Sequence, residues 1–177
     1  PHRELDALGE KPVVSPNGRY VAFVRGYCRT AREAYVGSAN RDIWLFDQET
    51  GEYNQLTDHQ GQDIQAEWKD DQTLIILSAR SGRYNLYELG INESGAKVGD
   101  LKALTDYAEE GIIDFTVSRN GGIIVFDYQG RFYRMSTDAG SAAQLIDIDV
   151  TEDSRYDPIL HKTYTNDVNE MDVSPNG

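Results

Sequence analysis

Short apolar runs alternate with turn signals along the chain, and the pattern leaves hardly any room for helix. Between Arg41 and Thr57 the sequence reads RDIWLFDQETGEYNQLT. Ile43, Trp44, Leu45 and Phe46 form a β-prone run, Thr50-Gly51 marks a turn, and Tyr53–Leu56 predicts a second strand closing in Leu-Thr. Upstream, Val13–Val24 has two apolar runs flanking Ser15-Pro16-Asn17-Gly18, whose Pro and Asn-Gly predict a tight reversal. Tyr20–Val24 is apolar at every position, as suits a strand sandwiched between neighbouring sheets. Two hairpins in series predict one four-stranded antiparallel unit.

The unit recurs. In the second copy Ile64–Trp68 leads through Lys69-Asp70-Asp71-Gln72 to Thr73–Leu77, then Tyr84–Leu89, a loop at Ile91–Gly99, and an outer strand at Leu101–Thr105 ending again in Leu-Thr. The third runs Ile112–Val117, a turn at Ser118-Arg119-Asn120-Gly121, Ile123–Phe126, Arg131–Met135 and Ala143–Ile146, with Gly130 placed to supply the positive φ of a hairpin turn. The landmarks Val14, Trp68, Val117 and Val173 are roughly 50 to 56 residues apart, the scale of a propeller blade. The predicted fold class is therefore all-β: a β-propeller segment of about three four-stranded antiparallel blades, at 12–58, 62–106 and 111–149. A linker at 150–167 and the first strand of a further blade at 168–177 follow. An array with open ends leaves a terminal sheet face uncovered on each side, so pairing of two copies into a ring of about six blades is an expected partnership.

Composition narrows the choice of partner. The 177 residues are 39% hydrophobic, ordinary for a folded domain, and no apolar run approaches the roughly 18 residues of a membrane-spanning helix. A net charge of −13 argues against nucleic acid or an anionic membrane surface. A soluble protein is expected, in a cytoplasmic or a periplasmic setting. Cys28 is the single cysteine, so no intrachain disulfide forms.

Candidate chemistry is sparse. His2, His59 and His161 are scattered, and Ser15, Ser118 and Ser174 recur at equivalent turn positions, which makes them turn formers rather than one activated hydroxyl. No catalytic residue is nominated. The Asp58-His59…Asp63, Asp70-Asp71 and Asp147/Asp149 groups lack the register of a calcium loop, so neither metal nor cofactor is expected. The longer polar connection at 26–40 is an insertion in an otherwise regular blade, where a binding or gating loop sits readily; Arg29, Arg32 and Tyr35 are its candidate binding residues. Asp42, Arg83 and Arg131 fall at what read as entrances to inner strands, too heterogeneous a set to nominate a reaction.

The frame V-S-P-N-G-R-Y-V-A-F-V, then D-I-W-L-F-D, then Q-L-T, resembles the propeller repeat of TolB-like proteins and the tricorn protease family. Arg32–Asp47 and the closing stretch Ser154–Gly177 resemble bacterial tricorn-like peptidases more closely. In that family a six-bladed propeller precedes a seven-bladed one, a PDZ-like domain and a serine peptidase domain. The resemblance implies that Val13–Asp149 is the second half of the first propeller and Val168–Gly177 the opening strand of the second. It also implies that the catalytic residues lie in a C-terminal part of a longer parent, and that this portion is a non-catalytic scaffold or gate. Its partners would then be peptides or other domains of the parent chain. A TolB-like interaction propeller without peptidase, and a propeller enzyme such as a sugar lyase or hydrolase, remain as alternatives.

Overall fold

The computed structural model describes residues 8–138, 140–149 and 174. The chain divides into a unit over Pro1–Asp147 and a second over Ile148–Gly177. The predicted linker at 150–167 and the further strand at 168–177 lie outside the described residues, apart from Ser174.

The first unit is built of three four-stranded antiparallel sheets, the arrangement of partial propeller blades. The first holds β1 (Glu10–Val14), β2 (Tyr20–Arg25), β3 (Asp42–Asp47) and β4 (Tyr53–Gln55), paired in chain order. The second holds β5 (Asp63–Asp70), β6 (Thr73–Ser78), β7 (Asn85–Ile91) and β8 (Lys97–Ala103). The third holds β9 (Asp114–Val117), β10 (Ile123–Tyr128), β11 (Arg131–Ser136) and β12 (Gln144–Leu145). The sheets meet at their first strands: β5 packs against β1, β2 and β3 on one side and β9 on the other, while β4, β8 and β12 pack against no strand of another sheet among the described residues.

Recurring residues do recurring jobs. The Ser15 and Ser118 hydroxyls each donate to the Asn two positions on, at 2.7 Å, and accept the N–H of Tyr20 (2.9 Å) and Ile123 (3.0 Å), closing the first reversal of sheets one and three. Gly18 and Gly121 complete those turns at φ 77° and 70°, as the Asn-Gly pairs predict. The two Leu-Thr endings also match. Leu56 and Leu104 donate to the Ile43 and Leu86 carbonyls, and the Thr57 and Thr105 hydroxyls accept the Ile43 and Leu86 N–H groups, each at 2.9 Å.

The core lies between sheets. Ala22, Val24, Ile43 and Leu45 pack against Ala66, Trp68, Leu74 and Ile76; Ile75, Leu77 and Leu86, from the other face of the second sheet, pack against Ile112, Phe115, Ile124 and Phe126. Leu74–Leu77 are wholly buried because both faces of β6 are covered. One boundary differs from expectation. The stretch 91–99 is not a long loop, because the Asn92 side-chain oxygen accepts the N–H groups of Ser94 and Ala96 and Gly95 turns at φ 73°, so β7 and β8 extend into it as a tight hairpin.

In each sheet the connection between second and third strands falls at the same end as the crossover to the next sheet, since antiparallel strands alternate direction. Residues 26–41, 79–84 and 129–130 therefore share an end with crossovers 56–62 and 104–113.

Candidate functional site

At that end the first strands β1, β5 and β9 all begin, and a cavity of about 800 Å³ opens there. Ile64, Ile112 and Ile113 supply its apolar floor, and Glu10, Lys11 and Arg41 stand on one side. Residues 29–31 and Glu33, from the insertion between β2 and β3, form its cover.

The cover is strapped down by Arg41 at its own end and by side chains of the framework. Arg41 is buried and donates to the Cys28 carbonyl at 2.6 Å while its guanidinium pairs with Glu10 at 2.7 Å, holding the Glu10 carboxyl below its ordinary range. Gln62, wholly buried, accepts the Arg41 N–H and offers its amide nitrogen to the Arg29 and Arg32 carbonyls, both at 3.4 Å. The Tyr84 hydroxyl donates to the Thr30 carbonyl at 2.8 Å, and burial together with the nearby Glu33 carboxylate pushes this phenol up. Glu33 reaches across to the second sheet, accepting the Tyr84 backbone N–H and pairing with Arg83 at 3.2 Å. Gly111 makes this approach possible, since a Cβ there would collide with the Glu33 carboxylate and lie 2.9 Å from the Tyr84 nitrogen.

The three insertion residues singled out in the sequence separate. Arg29 lies in the cavity wall. Arg32 stacks over the Tyr35 ring, 5.2 Å from its centroid, and the Tyr35 oxygen accepts the Ala39 N–H at 3.2 Å, so this pair organises the loop internally. No local pattern in the sequence marks Lys11, Glu33, Tyr84 or Gly111, whose partners lie from 27 to 78 residues away in sequence. Asp42, Arg83 and Arg131 do not stand at inner strands. They precede or open the third strand of each sheet, because the pairing order places the first strand innermost.

A second cavity of about 420 Å³, beside the strap, holds Asp42, Asp58 and His59. Burial, then Asp63 and Asp58, raises the Asp42 carboxyl to about 6. Asp63 itself is wholly buried and paired with Arg80 at 3.2 Å. Among the described residues no His, Cys, Asp and Glu group is arranged to hold a metal ion, no helix is long and apolar enough to cross a membrane, and the wall of the larger cavity has no histidine.

Fold and site together define a β-propeller-like segment. No protein-family model matches the chain, and no curated protein does. Solved structures match well. TolB from Acinetobacter baumannii aligns with a TM-score of 0.58 and 20% identity over 78% of this chain, and the tricorn protease with 0.61 and 15% over 80%. A gluconolactonase, XC5397 from Xanthomonas campestris, aligns with 0.55 and 14% over 81%. The chain spans 32% of the TolB chain, 13% of the tricorn protease and 49% of the gluconolactonase. At these identities the likeness is one of fold, shared across propellers of peptidases, other hydrolases and TolB.

Proposed function

We propose that this chain is a non-catalytic propeller segment of a tricorn-like serine peptidase, serving as scaffold and gate for peptides on their way to a distant catalytic domain. The observation that carries this reading is the strapped cavity at the mouth of the inner strands. Its apolar floor beside the cationic Lys11 and Arg29 suits an extended peptide. The blade spans 12–58, 62–106 and 111–149, and the linker that follows, belong to the same proposal. A second reading, a TolB-like interaction propeller with a folded protein partner, is favoured by the TolB alignment, which matches the tricorn alignment in quality.

The outer face of the third sheet bears on partnership. Ile123 is 44% and Phe132 48% exposed there, consistent with a further sheet or a second copy covering them. The test is to measure binding of an unstructured peptide library to the purified chain, with turnover assayed in parallel. The gate reading expects binding weakened by Arg29→Ala and no hydrolysis. Turnover proportional to protein and retained through purification would overturn it, and binding confined to folded partners would favour the second reading.

A further inference from the structure

The Glu33 contact has the chemistry of a receptor holding a ligand. A backbone N–H (Tyr84) and a guanidinium (Arg83) converge on one carboxylate, the donor set that recognises a free acidic side chain. Gly111 leaves the space that the carboxylate fills. The bound carboxylate is largely shielded, with the Glu33 side chain 16% exposed, and it arrives on the strap over the cavity rather than from the sheets that supply the donors.

The immediate lining suits an acid. In a chain of net charge −13, cations stand in the wall of this cavity. Arg41 and Glu10 offset each other, Arg83 pairs with Glu33, and Lys11 and Arg29 line the same cavity as Glu33. The ties that Gln62 and Tyr84 make to the strap are hydrogen bonds to backbone carbonyls, two of them 3.4 Å long, and these survive an exchange of one carboxylate for another.

We infer that the Tyr84 N–H, Arg83 and bare Gly111 form a carboxylate receptor that Glu33 fills from within, and that an acidic side chain of a bound peptide, flanked by apolar residues for the Ile64 and Ile112 floor, competes with Glu33 for it. Glu33 is then a placeholder: while it occupies the receptor the strap is closed, and an incoming acid pays the cost of displacing it. The inference concerns acid recognition alone and stands whether or not the propeller gates a peptidase.

The experiment uses fluorescence anisotropy with three labelled peptides: an amidated one with a single Glu between isoleucines, its Gln counterpart, and one with no acidic side chain but a free C-terminal carboxylate. The Glu peptide is expected to bind Glu33→Ala about tenfold or more tightly than the wild type, because the internal competitor is gone. The Gln peptide should show no such gain, and adding Arg83→Gln should abolish it. Equal binding of Glu and Gln peptides, no gain in Glu33→Ala, or preference for the free-terminus peptide would each overturn the assignment. Should Glu33→Ala fail to fold, tryptic cleavage of the wild type after Arg29 and Arg32 decides. The Glu peptide should accelerate it and the Gln peptide should not, whereas no acceleration at saturating peptide overturns the proposal.

Discussion

The same topological position is built in opposite ways in the first and third sheets. Between β10 and β11 the chain turns in two residues, Gln129 and Gly130, both at positive φ (54° and 67°), the backbone of a type I′ hairpin. Between β2 and β3 it takes sixteen residues, 26–41, which leave the sheet, cross the mouth of the inner strands, are tied internally by Arg41 and are held by Gln62 and Tyr84, which precede β5 and β7 of the second sheet. The short turn is specified by local backbone preference. The strap is specified by partners remote in sequence, so its loss leaves buried groups unpaired, among them Gln62. A repeated scaffold thus keeps its strands and concentrates candidate function at one connection out of three.

Substitutions sharpen the contrast. Arg41→Ala should have the largest effect, about 2–3 kcal/mol by urea denaturation, because it leaves the carbonyl of buried Cys28 without its donor and empties the space of a buried guanidinium. It should also speed tryptic cleavage at Arg29 and Arg32. Gly130→Ala should cost about 1–2 kcal/mol, through the positive φ alone, and leave that cleavage unchanged. Equal strap cleavage in both variants would break the distinction between a locally and a remotely specified connection.

Asp42, where the strap rejoins its sheet, gives the smallest and most pH-dependent effect. Its carboxyl is raised in the folded protein from 3.8 to about 6, so folding takes up a proton between those values. The folded state is disfavoured by this group at pH 7 and above, and the penalty disappears as pH falls through 6 towards 4. Asp42→Asn should therefore stabilise by on the order of 1 kcal/mol at pH 8 and by nothing near pH 4, read as the shift in urea midpoint at the two pH values. A gain independent of pH would assign the effect to packing instead.

These contrasts also explain what the sequence discloses. The turn residues Ser15 and Ser118 and the Leu-Thr endings act within a few residues or within one hairpin pair, so their repetition reads directly as structure. The run 91–99 is misjudged as a loop because one Asn side chain closes it, a contact that composition does not distinguish from solvation. Arg29 is legible as a cation in an insertion. Glu33 is not, since its meaning comes from Tyr84 and Gly111, brought to it only when the second and third sheets assemble beside the first.

The most direct test of the account is the exchange rate of the Tyr84 amide proton by NMR. Among the described residues its acceptor is the Glu33 side chain, outside any strand ladder. Slow exchange in the wild type that becomes fast in Glu33→Ala, with neighbouring β7 amides unchanged, is the predicted result. Exchange at the rate of an open chain in the wild type, or protection indifferent to Glu33, would contradict the closed strap at its central contact.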